Sequence, residues 1–196
     1  MPDGTTVDLS DLVNPDGNGG YVLAEAASEQ MANRLVAESY KIMANVVGIH
    51  KAFMLDLETM EGQIEMATTP FYHPILPLIY NTEEAKMAQP FDTLPFPVFS
   101  YPEDANAQIA RSVAYFDQVF GQVPGGMWPG EGSVSESVVS LFQQNNLSWI
   151  ATGNKVLERS TPPYQPSYYP YRIDGDTVVG SGGSSDDEMS ILFRDT

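Results

Sequence analysis

Apolar residues recur at helical spacing between Ala24 and Val47. Residues four or seven positions apart form one stripe: Met31, Leu35, Ile42 and Val46. Gly48 follows this stripe and is expected to end the helix, because glycine is common just after helix C-termini. A second helix is predicted from Lys51 to Glu61. Residues 1–20 are rich in Asp, Gly, Asn and Pro, and we interpret them as a loop or an insertion.

Polar and apolar residues alternate from Gly62 to Thr69, a pattern that is typical of a strand. Pro70, Pro74 and Pro77 then interrupt regular structure, because proline lacks a backbone N–H. Residues 71–80 are therefore predicted to form an irregular loop. Since that loop is rich in aromatic and aliphatic side chains, we expect it to be ordered and packed.

A further helix is predicted between Asp104, which is a suitable N-cap, and Gly121, which is a suitable stop. Four apolar residues share one face of that helix: Ile109, Val113, Phe116 and Phe120. The pattern favours a helix that buries this face against a core.

The next segment predicts a strand around Gly126 to Trp128 and a helix from Ser133 to about Gln144. The helix start is inferred from Ser133 and Glu136, which have the spacing of a capping box. Leu147 to Ala151 is predicted as a second strand. Strand, loop, helix and strand in this order form a βα unit of an α/β fold, in which functional loops follow the C-terminal ends of parallel strands.

Residues 161–172 hold many prolines and tyrosines and are interpreted as an extended surface loop, and residues 180–185 as a flexible turn. Met189 to Phe193 is predicted as a strand, after which the sequence stops. Because an α/β domain rarely stops on a strand, we expect the chain to be part of a longer parent protein.

The composition narrows the classes of partner. The chain has 9 basic and 26 acidic residues and a net charge of −17. Nucleic acids and anionic membranes would be repelled, so neither is expected as a partner. A neutral sugar polymer is compatible with this charge. The hydrophobic fraction of 42% is enough for a packed core.

Neither a metal site nor a cofactor is predicted. The sequence contains no cysteine, which excludes disulfides, thiolate nucleophiles and thiolate metal ligands. The two histidines, His50 and His73, do not form a metal motif. The acidic cluster Asp186-Asp187-Glu188 is flanked by Gly and Ser and is interpreted as a solvated loop.

Glu131 is the strongest candidate for chemistry, because it follows a predicted strand, precedes a predicted helix and has glycine on both sides. Trp128 lies three residues earlier. In a glycosidase site an indole can stack on a sugar ring while a neighbouring carboxylate reaches the anomeric carbon. Trp128 and Glu131 are suitable for these two functions. The alternative is that Glu131 stabilises the helix N-terminus through the macrodipole.

Two further residues are candidates for contacts with a sugar. Glu65 lies in a predicted strand of otherwise apolar or small residues, so it is expected to be buried and paired. It is either a catalytic or sugar-binding group or half of a structural ion pair. His73 is either a donor to a sugar hydroxyl or a satisfied structural group.

Two segments resemble glycoside hydrolase family 57. Residues 62–75 read GQIEMATTPFYHPI, and residues 126–136 read GMWPGEGSVSE and are similar to the family's nucleophile region. The segments at 104–108 and 149–152 also resemble amylopullulanase-type members. The resemblance covers roughly Met31 to Thr196.

This resemblance implies a single domain over residues 1–196, an α/β fold that forms part of a (β/α)7 barrel truncated at both ends. The expected activity is retaining hydrolysis or transfer on α-1,4-linked glucans, with α-1,6 bonds as a further option. By position Glu131 matches the nucleophile, whereas Glu65, His73 and Trp128 match positions that contact the sugar. The rest of the parent barrel is an expected partner.

The sequence departs from the family pattern in two ways. The family's general acid is an Asp in a later Asp-Gly-Glu segment that does not appear here, and Asp174-Gly175-Asp176 is not assigned this role. Gly153-Asn154 replaces an acidic pair. We therefore expect this chain alone to hydrolyse starch negligibly. Two alternatives are an inactive carbohydrate-binding derivative and a structural interaction protein that uses the Pro/Tyr-rich loop.

Overall fold

A computed structural model of the chain describes residues 1–160, 166–174 and 188–194. Two compact units are present, Met1–Ile64 and Glu65–Thr196. The prediction of a single barrel domain over the whole chain stays a prediction.

The segment predicted as a loop, residues 1–20, is irregular up to residue 12 but carries the first strand of a β-hairpin. Strands β1 (Val13–Pro15) and β2 (Tyr21–Leu23) pair in antiparallel fashion. The turn between them is stabilised by Asp16, whose carboxylate accepts hydrogen bonds from the backbone N–H groups of Asn18 at 2.8 Å and Gly20 at 2.9 Å. The side chain of an Asp in a turn thus replaces the backbone partners that a longer strand would supply.

Helix α1 spans Glu29–Phe53 and is capped by Ser28, whose hydroxyl accepts from the backbone N–H of Met31. The prediction that Gly48 ends it is wrong. A glycine inside a helix costs only about 1 kcal/mol relative to alanine, so the helix continues through Gly48.

The predicted second helix from Lys51 to Glu61 is also wrong. After α1 the chain turns around Asp56, whose carboxylate accepts from the backbone N–H groups of Glu58 and Thr59. Met60 then adopts a left-handed conformation with φ of 60°. The Asp side chain competes with helical hydrogen bonds, which explains why a turn forms there.

The side chains of α1 are distributed in an unexpected way. Glu38 is 1% exposed and Asn45 is 6% exposed, whereas apolar residues of the predicted stripe, such as Leu35 and Ile42, are 50% and 44% exposed. Glu38 forms ion pairs with Arg34 and Lys41, whose side chains are themselves 35% and 42% exposed. Helical periodicity therefore predicted the helix but not the face that it buries.

In the second unit the predicted strand over residues 62–69 is not a regular strand. Thr68 pairs with Met127 in an isolated parallel bridge, and Ile64 forms its bridge within the first unit. The irregular loop predicted for residues 71–80 ends earlier, because helix α2 spans Leu76–Tyr80. Pro77 is tolerated there, since the first helical turn has no intrahelical partner for its N–H groups.

A 3₁₀ turn at Thr82–Glu84 and helix α3 (Ala85–Ala88) follow. Helix α4 spans Pro102–Phe120 and ends at Gly121, which has φ of 85° as the predicted stop requires. The helix begins two residues before the predicted cap Asp104, because Pro102 occupies its first position.

The predicted βα unit is confirmed. Strand β3 (Gly126–Met127) leads through a 3₁₀ turn at Gly130–Gly132 to helix α5 (Glu136–Gln144). Strand β4 (Trp149–Gly153) then lies parallel to β3. The predicted capping box is wrong in register, because Ser135 and not Ser133 occupies the N-cap position.

The remaining elements complete a four-stranded sheet. Helix α6 spans Asn154–Ser160, β5 spans Tyr171–Asp174 and β6 spans Glu188–Arg194. The strand order is β3-β4-β6-β5, with β6 parallel to β4 and β5 antiparallel to β6. The predicted strand at 189–193 is confirmed. The surface loop predicted for residues 161–172 does not extend to its predicted end, because β5 begins at Tyr171.

Helices cover one face of this sheet. The buried core comprises Leu76, Ala105, Ile109, Met127, Val138, Val139, Leu141, Phe142, Leu147, Ile150, Met189 and Ile191. Side chains alternate along each strand, so Trp149, Ala151 and Leu192 point to the opposite face. The arrangement confirms the α/β class, while the partial barrel stays a prediction.

Three sequence interpretations fall outside the described residues: the turn at 180–185, the acidic pair Asp186-Asp187, and Gly175-Asp176. In the described part of the chain, no helix is long and apolar enough to cross a membrane.

Candidate active site

Glu131 lies just beyond the carboxyl end of β3, in the 3₁₀ turn that leads to α5. Its backbone is left-handed, with φ of 55° and ψ of 18°. The side chain is 73% exposed. A non-glycine residue in this region costs about 1–2 kcal/mol, so the surrounding structure must hold it there.

Gly130, the residue before Glu131, is one reason why this backbone conformation is maintained. A Cβ at Gly130 would lie 2.3 Å from the carbonyl oxygen of Pro74, a distance that real Cβ atoms do not show. Glycine therefore lets the turn that carries Glu131 pack directly onto the backbone of the proline-rich loop.

This packing places His73 against Glu131. The distance between His73 Nε2 and Glu131 Oε1 is 3.2 Å, and His73 Nδ1 lies 3.1 Å from the hydroxyl of Thr69. His73 also has left-handed backbone, with φ of 54°. The two candidates, which are 58 positions apart, are thus brought together.

Trp128 lies between β3 and the Glu131 turn. Its backbone N–H donates to the carbonyl of Thr68 at 2.8 Å. The guanidinium carbon of Arg194 lies 5.3 Å from the centroid of the indole ring, within the range of a cation–π contact. The half-buried ring packs against Gly132, where an added Cβ would lie 3.3 Å from its Cζ2 atom, so it borders the turn that carries Glu131.

Trp128 also borders a groove of about 750 Å³ that runs along α4. The groove is lined mainly by apolar and aromatic side chains: Met66, Ala67, Thr68, Thr69, Phe71, Tyr72, Ser112, Tyr115, Phe116, Val119, Phe120 and Trp128. Glu131 and His73 do not belong to its lining, so the groove adjoins the pair rather than containing it.

Glu65 is not brought to this place. It precedes Thr68, whose bridge with Met127 is parallel, so it lies about 10 Å toward the amino end of the strands at about 3.3 Å per residue. Its carboxylate accepts a hydrogen bond from Trp149 Nε1 at 2.7 Å, and Trp149 is the first residue of β4. Glu131 lies beyond the opposite, carboxyl end.

The expectation that Glu65 is buried is wrong, because its side chain is exposed. The indole ring that binds it packs over Gly126, where an added Cβ would be 2.0 Å from the ring. The strand pattern failed because residues 65–67 pair with no neighbouring strand in the described structure, so alternation did not bury this position.

The polar groups that support His73 were not among the predicted site residues. Ser112 of α4 is 3% exposed and donates to the carbonyl of Thr69 at 2.6 Å. Gln108 accepts from the backbone N–H of Tyr72 at 3.0 Å. The position of Ser112 on the otherwise apolar face of α4 is the sequence feature that could have identified it.

The end of β4 also borders the site. The hydroxyl of Thr152 donates to the carbonyl of Gly132, which ties β4 to the Glu131 turn. At Gly153 an added Cβ would meet nothing within 4 Å. This open position is where the resemblance expects an acidic residue. Among the described residues, no three His, Asp or Glu side chains converge as a metal site requires.

The comparison that decides the family is with family sequence profiles. The profile of glycosyl hydrolase family 57 matches residues 28–196. The chain belongs to glycosyl hydrolase family 57. The resemblance inferred from the two motifs is therefore confirmed.

Three solved structures show a similar fold. The α-amylase AmyC from Thermotoga maritima is 22% identical, with a TM-score of 0.53 over 85% of this chain and 25% of its own. The GH57-type branching enzyme from Pyrococcus horikoshii is 15% identical, with a TM-score of 0.54 over 84% of this chain and 27% of its own. The 4-α-glucanotransferase from Thermococcus litoralis is 14% identical, with a TM-score of 0.50 over 82% of this chain and 20% of its own.

The family 57 chain described here therefore spans about a quarter of the length of these structures. At such identities the likeness concerns the fold. A comparison with curated protein sequences gave no match.

Proposed function

We propose that this chain is part of the catalytic barrel of a retaining family 57 enzyme that hydrolyses or transfers α-glucans, with Glu131 as the nucleophile. The observation that carries the proposal is the position of Glu131, which is exposed at the carboxyl end of a parallel strand and hydrogen-bonded to His73. Functional groups of α/β barrels are placed at this end. Membership of family 57 supports the reaction class.

The proposed reaction has two steps. A carboxylate oxygen of Glu131 attacks the anomeric carbon, the glycosidic C–O bond breaks, and a general acid protonates the departing oxygen. Water or a sugar hydroxyl then attacks the same carbon and gives its proton to the conjugate base of that acid, while the bond between the carbon and Glu131 breaks. Because Oε1 is the oxygen next to His73, Oε2 is proposed as the attacking atom.

The substrate class is proposed from the neighbours, whose names describe an α-amylase, a branching enzyme and a 4-α-glucanotransferase. Trp128 would stack on a glucose ring beside Glu131, since its indole lies next to the turn that carries the carboxylate. The general acid and the other barrel strands are proposed to come from the rest of the parent protein.

Glu65 stays a candidate for sugar binding, but for a different subsite. Its bond to Trp149 at the amino end of the strands separates it from a sugar that reacts at Glu131. A pairing of a carboxylate with an indole, Glu65 with Trp149, thus occurs at the amino end of the strands.

The test uses an α-maltosyl fluoride donor and intact-mass measurement of the purified chain. Fluoride leaves as an anion with little help from an acid, so attack by Glu131 can be observed without the general acid. We expect a glycosyl-sized mass increase that is absent in Glu131→Gln. Glu65→Gln is the matched control and should still be labelled, because Glu65 is remote from the reacting carbon.

A second candidate function is carbohydrate binding without turnover. The open position at Gly153, where an acidic residue is expected, favours it. It predicts that maltooligosaccharides perturb the NMR signals of the Trp128 indole while the mass of the chain stays unchanged. Labelling of Glu131→Gln at the wild-type rate would contradict both the nucleophile assignment and the choice of Glu131 as the centre of the site.

A further inference from the structure

Three side chains form a hydrogen-bonded line that ends on the candidate nucleophile. The hydroxyl of Thr69 lies 3.1 Å from His73 Nδ1, and His73 Nε2 lies 3.2 Å from Glu131 Oε1. Each nitrogen of the imidazole ring therefore has one partner. We call this arrangement the Thr69–His73–Glu131 line.

We propose that His73 is a positioning residue for Glu131, and that the Thr69 hydroxyl holds its ring in the orientation in which Nε2–H donates to the carboxylate. The proposal rests on the proposed role of Glu131 as nucleophile. It replaces the expectation that His73 donates to a sugar hydroxyl, because both ring nitrogens already have partners within the protein.

The chemistry of the groups defines the direction of each bond. An ionised carboxylate only accepts hydrogen bonds, so Nε2 must carry the hydrogen that reaches Glu131. In a neutral imidazole Nδ1 then has a lone pair, which accepts from the Thr69 hydroxyl. A hydroxyl can donate or accept, so the acceptor-only carboxylate of Glu131 selects the Nε2–H tautomer, and the Thr69 hydroxyl completes the line by donating to Nδ1.

The line has a rigid base on the Thr69 side. Ser112 of α4 is buried and donates to the backbone carbonyl of Thr69 at 2.6 Å, and its hydroxyl also lies 2.8 Å from that of Thr68. The start of the line is thereby attached to a 19-residue helix. Because the imidazole ring contacts both Thr69 and Glu131, it fixes the carboxylate relative to that helix.

The Glu131 side of the line needs such support. Its side chain is 73% exposed, and an exposed glutamate with three rotatable bonds samples several rotamers. A hydrogen bond to Oε1 restricts those rotamers and leaves Oε2 for attack. An enzyme gains rate when a reacting group is held in one geometry rather than searching for it.

Backbone geometry argues against a chance surface contact. His73 and Glu131 both have left-handed backbone, with φ of 54° and 55°, and both flank the point where Gly130 touches Pro74. Such conformations at non-glycine residues persist where the surrounding structure enforces them, and they are frequent at active sites. An ordinary exposed ion pair has no such requirement.

The first test reads the tautomer directly. Long-range ¹H–¹⁵N spectra of the full chain at mildly alkaline pH, where free imidazole is neutral, report which ring nitrogen carries the hydrogen. We expect the Nε2–H tautomer for His73, a weaker preference for it in Thr69→Val, where the ring is no longer held against the carboxylate, and its recovery in Thr69→Ser. The signals of His50 serve as an internal reference that these changes leave unaffected.

The second test measures the rate of labelling by α-maltosyl fluoride. Removal of a group that orients a functional ligand commonly costs about 10- to 100-fold. We expect Thr69→Val to lower the maximal labelling rate about 10-fold without changing the donor concentration at half-maximal rate. His73→Leu should be slower still, whereas His73→Gln should recover part of the rate, because its amide can donate to Glu131.

The outcomes separate this proposal from the proposed function. In one outcome the wild-type chain is labelled, Thr69→Val and His73→Leu are labelled at the same rate, and His73 keeps its tautomer in Thr69→Val. The positioning role of His73 is then wrong, whereas Glu131 remains the nucleophile. If neither the wild-type chain nor any variant is labelled but the tautomer depends on Thr69, the nucleophile assignment and the positioning role are both wrong. The hydrogen bonds of the line then have only a structural role. Circular dichroism of each variant identifies any loss of folding.

Discussion

At the scale of single residues, the neighbours of a polar side chain determine which role it can have. Glu131 and Glu65 are both exposed glutamates beside an indole in the sequence or the structure. One is held by an imidazole in a left-handed turn, and the other binds the Trp149 N–H at the other end of the sheet. Residue type alone would treat them as equivalent.

Glu38 shows the same dependence in the first unit. The hydrogen bond from Lys41 Nζ at 2.7 Å, the one from Arg34 and the backbone N–H of Asp8 lower the pKa of the Glu38 carboxyl below its ordinary value of 4.5, although burial acts in the opposite direction. A pKa that is lower in the folded state means that the ionised form favours folding.

We therefore predict that Glu38→Gln destabilises helix α1 at neutral pH and that this difference disappears in acid. The stabilisation is fully present above the pKa of the unfolded chain, about 4.5, and is lost as pH falls through the lower folded pKa. Amide hydrogen exchange of α1 peptides at pH 7 and near pH 3 measures it. Glu25→Gln, at an exposed position, is the control. An equal effect of Glu38→Gln at both pH values would show that ionisation is not the cause.

At the scale of elements, parallel strands bring distant loops to one edge. The loop after Thr68 and the turn after β3 meet because Thr68 and Met127 pair in parallel, so both segments leave the sheet in the same direction. Gly130 then permits their backbones to touch at Pro74. The site is thus assembled by two adjacent chain segments rather than by one motif.

Gly130→Ala should separate these segments. Its Cβ would lie 2.3 Å from the Pro74 oxygen, and relief of such overpacking typically costs about 1–3 kcal/mol. We expect that loss in urea unfolding, together with slower labelling of Glu131. Gly153→Ala is the matched control, because its Cβ meets nothing within 4 Å and should change stability by less than about 0.5 kcal/mol. Equal stability of the two variants would mean that the loops adjust without cost.

At the scale of the whole molecule, negative charge and exposed apolar surface have opposing effects. The net charge of −17 keeps copies of the chain apart at low salt. Large apolar side chains nevertheless remain exposed, among them Tyr40 at 64% and Met43 at 65% on α1. Exposed apolar surface of this kind favours association once the repulsion is screened.

We predict that the chain is monomeric in about 20 mM salt and associates in about 1 M salt, where the Debye length falls to about 3 Å. Sedimentation velocity measures the change. The double substitution Tyr40→Gln and Met43→Gln keeps the charge and should weaken the association. A chain that stays monomeric at every salt concentration would contradict this balance of forces.

The sequence by itself determined the features that depend on local periodicity and on motifs. Helix α4 and its end at Gly121, the strand at Gly126 and the strand at 189–193 were predicted because their patterns are regular over a few residues. The two motifs indicated family 57, and the profile match over residues 28–196 confirms it. These features require no knowledge of which segments meet.

Only the tertiary structure decided which candidates lie together. His73 reaches Glu131 across 58 positions, whereas Glu65, which belongs to the same motif as His73, lies at the other end of the strands. Helix α1 buries Glu38 and exposes much of its apolar stripe. Such outcomes depend on strand direction, backbone contact and long-range pairing. These are set by the packing of segments far apart in sequence, and local patterns carry no information about them.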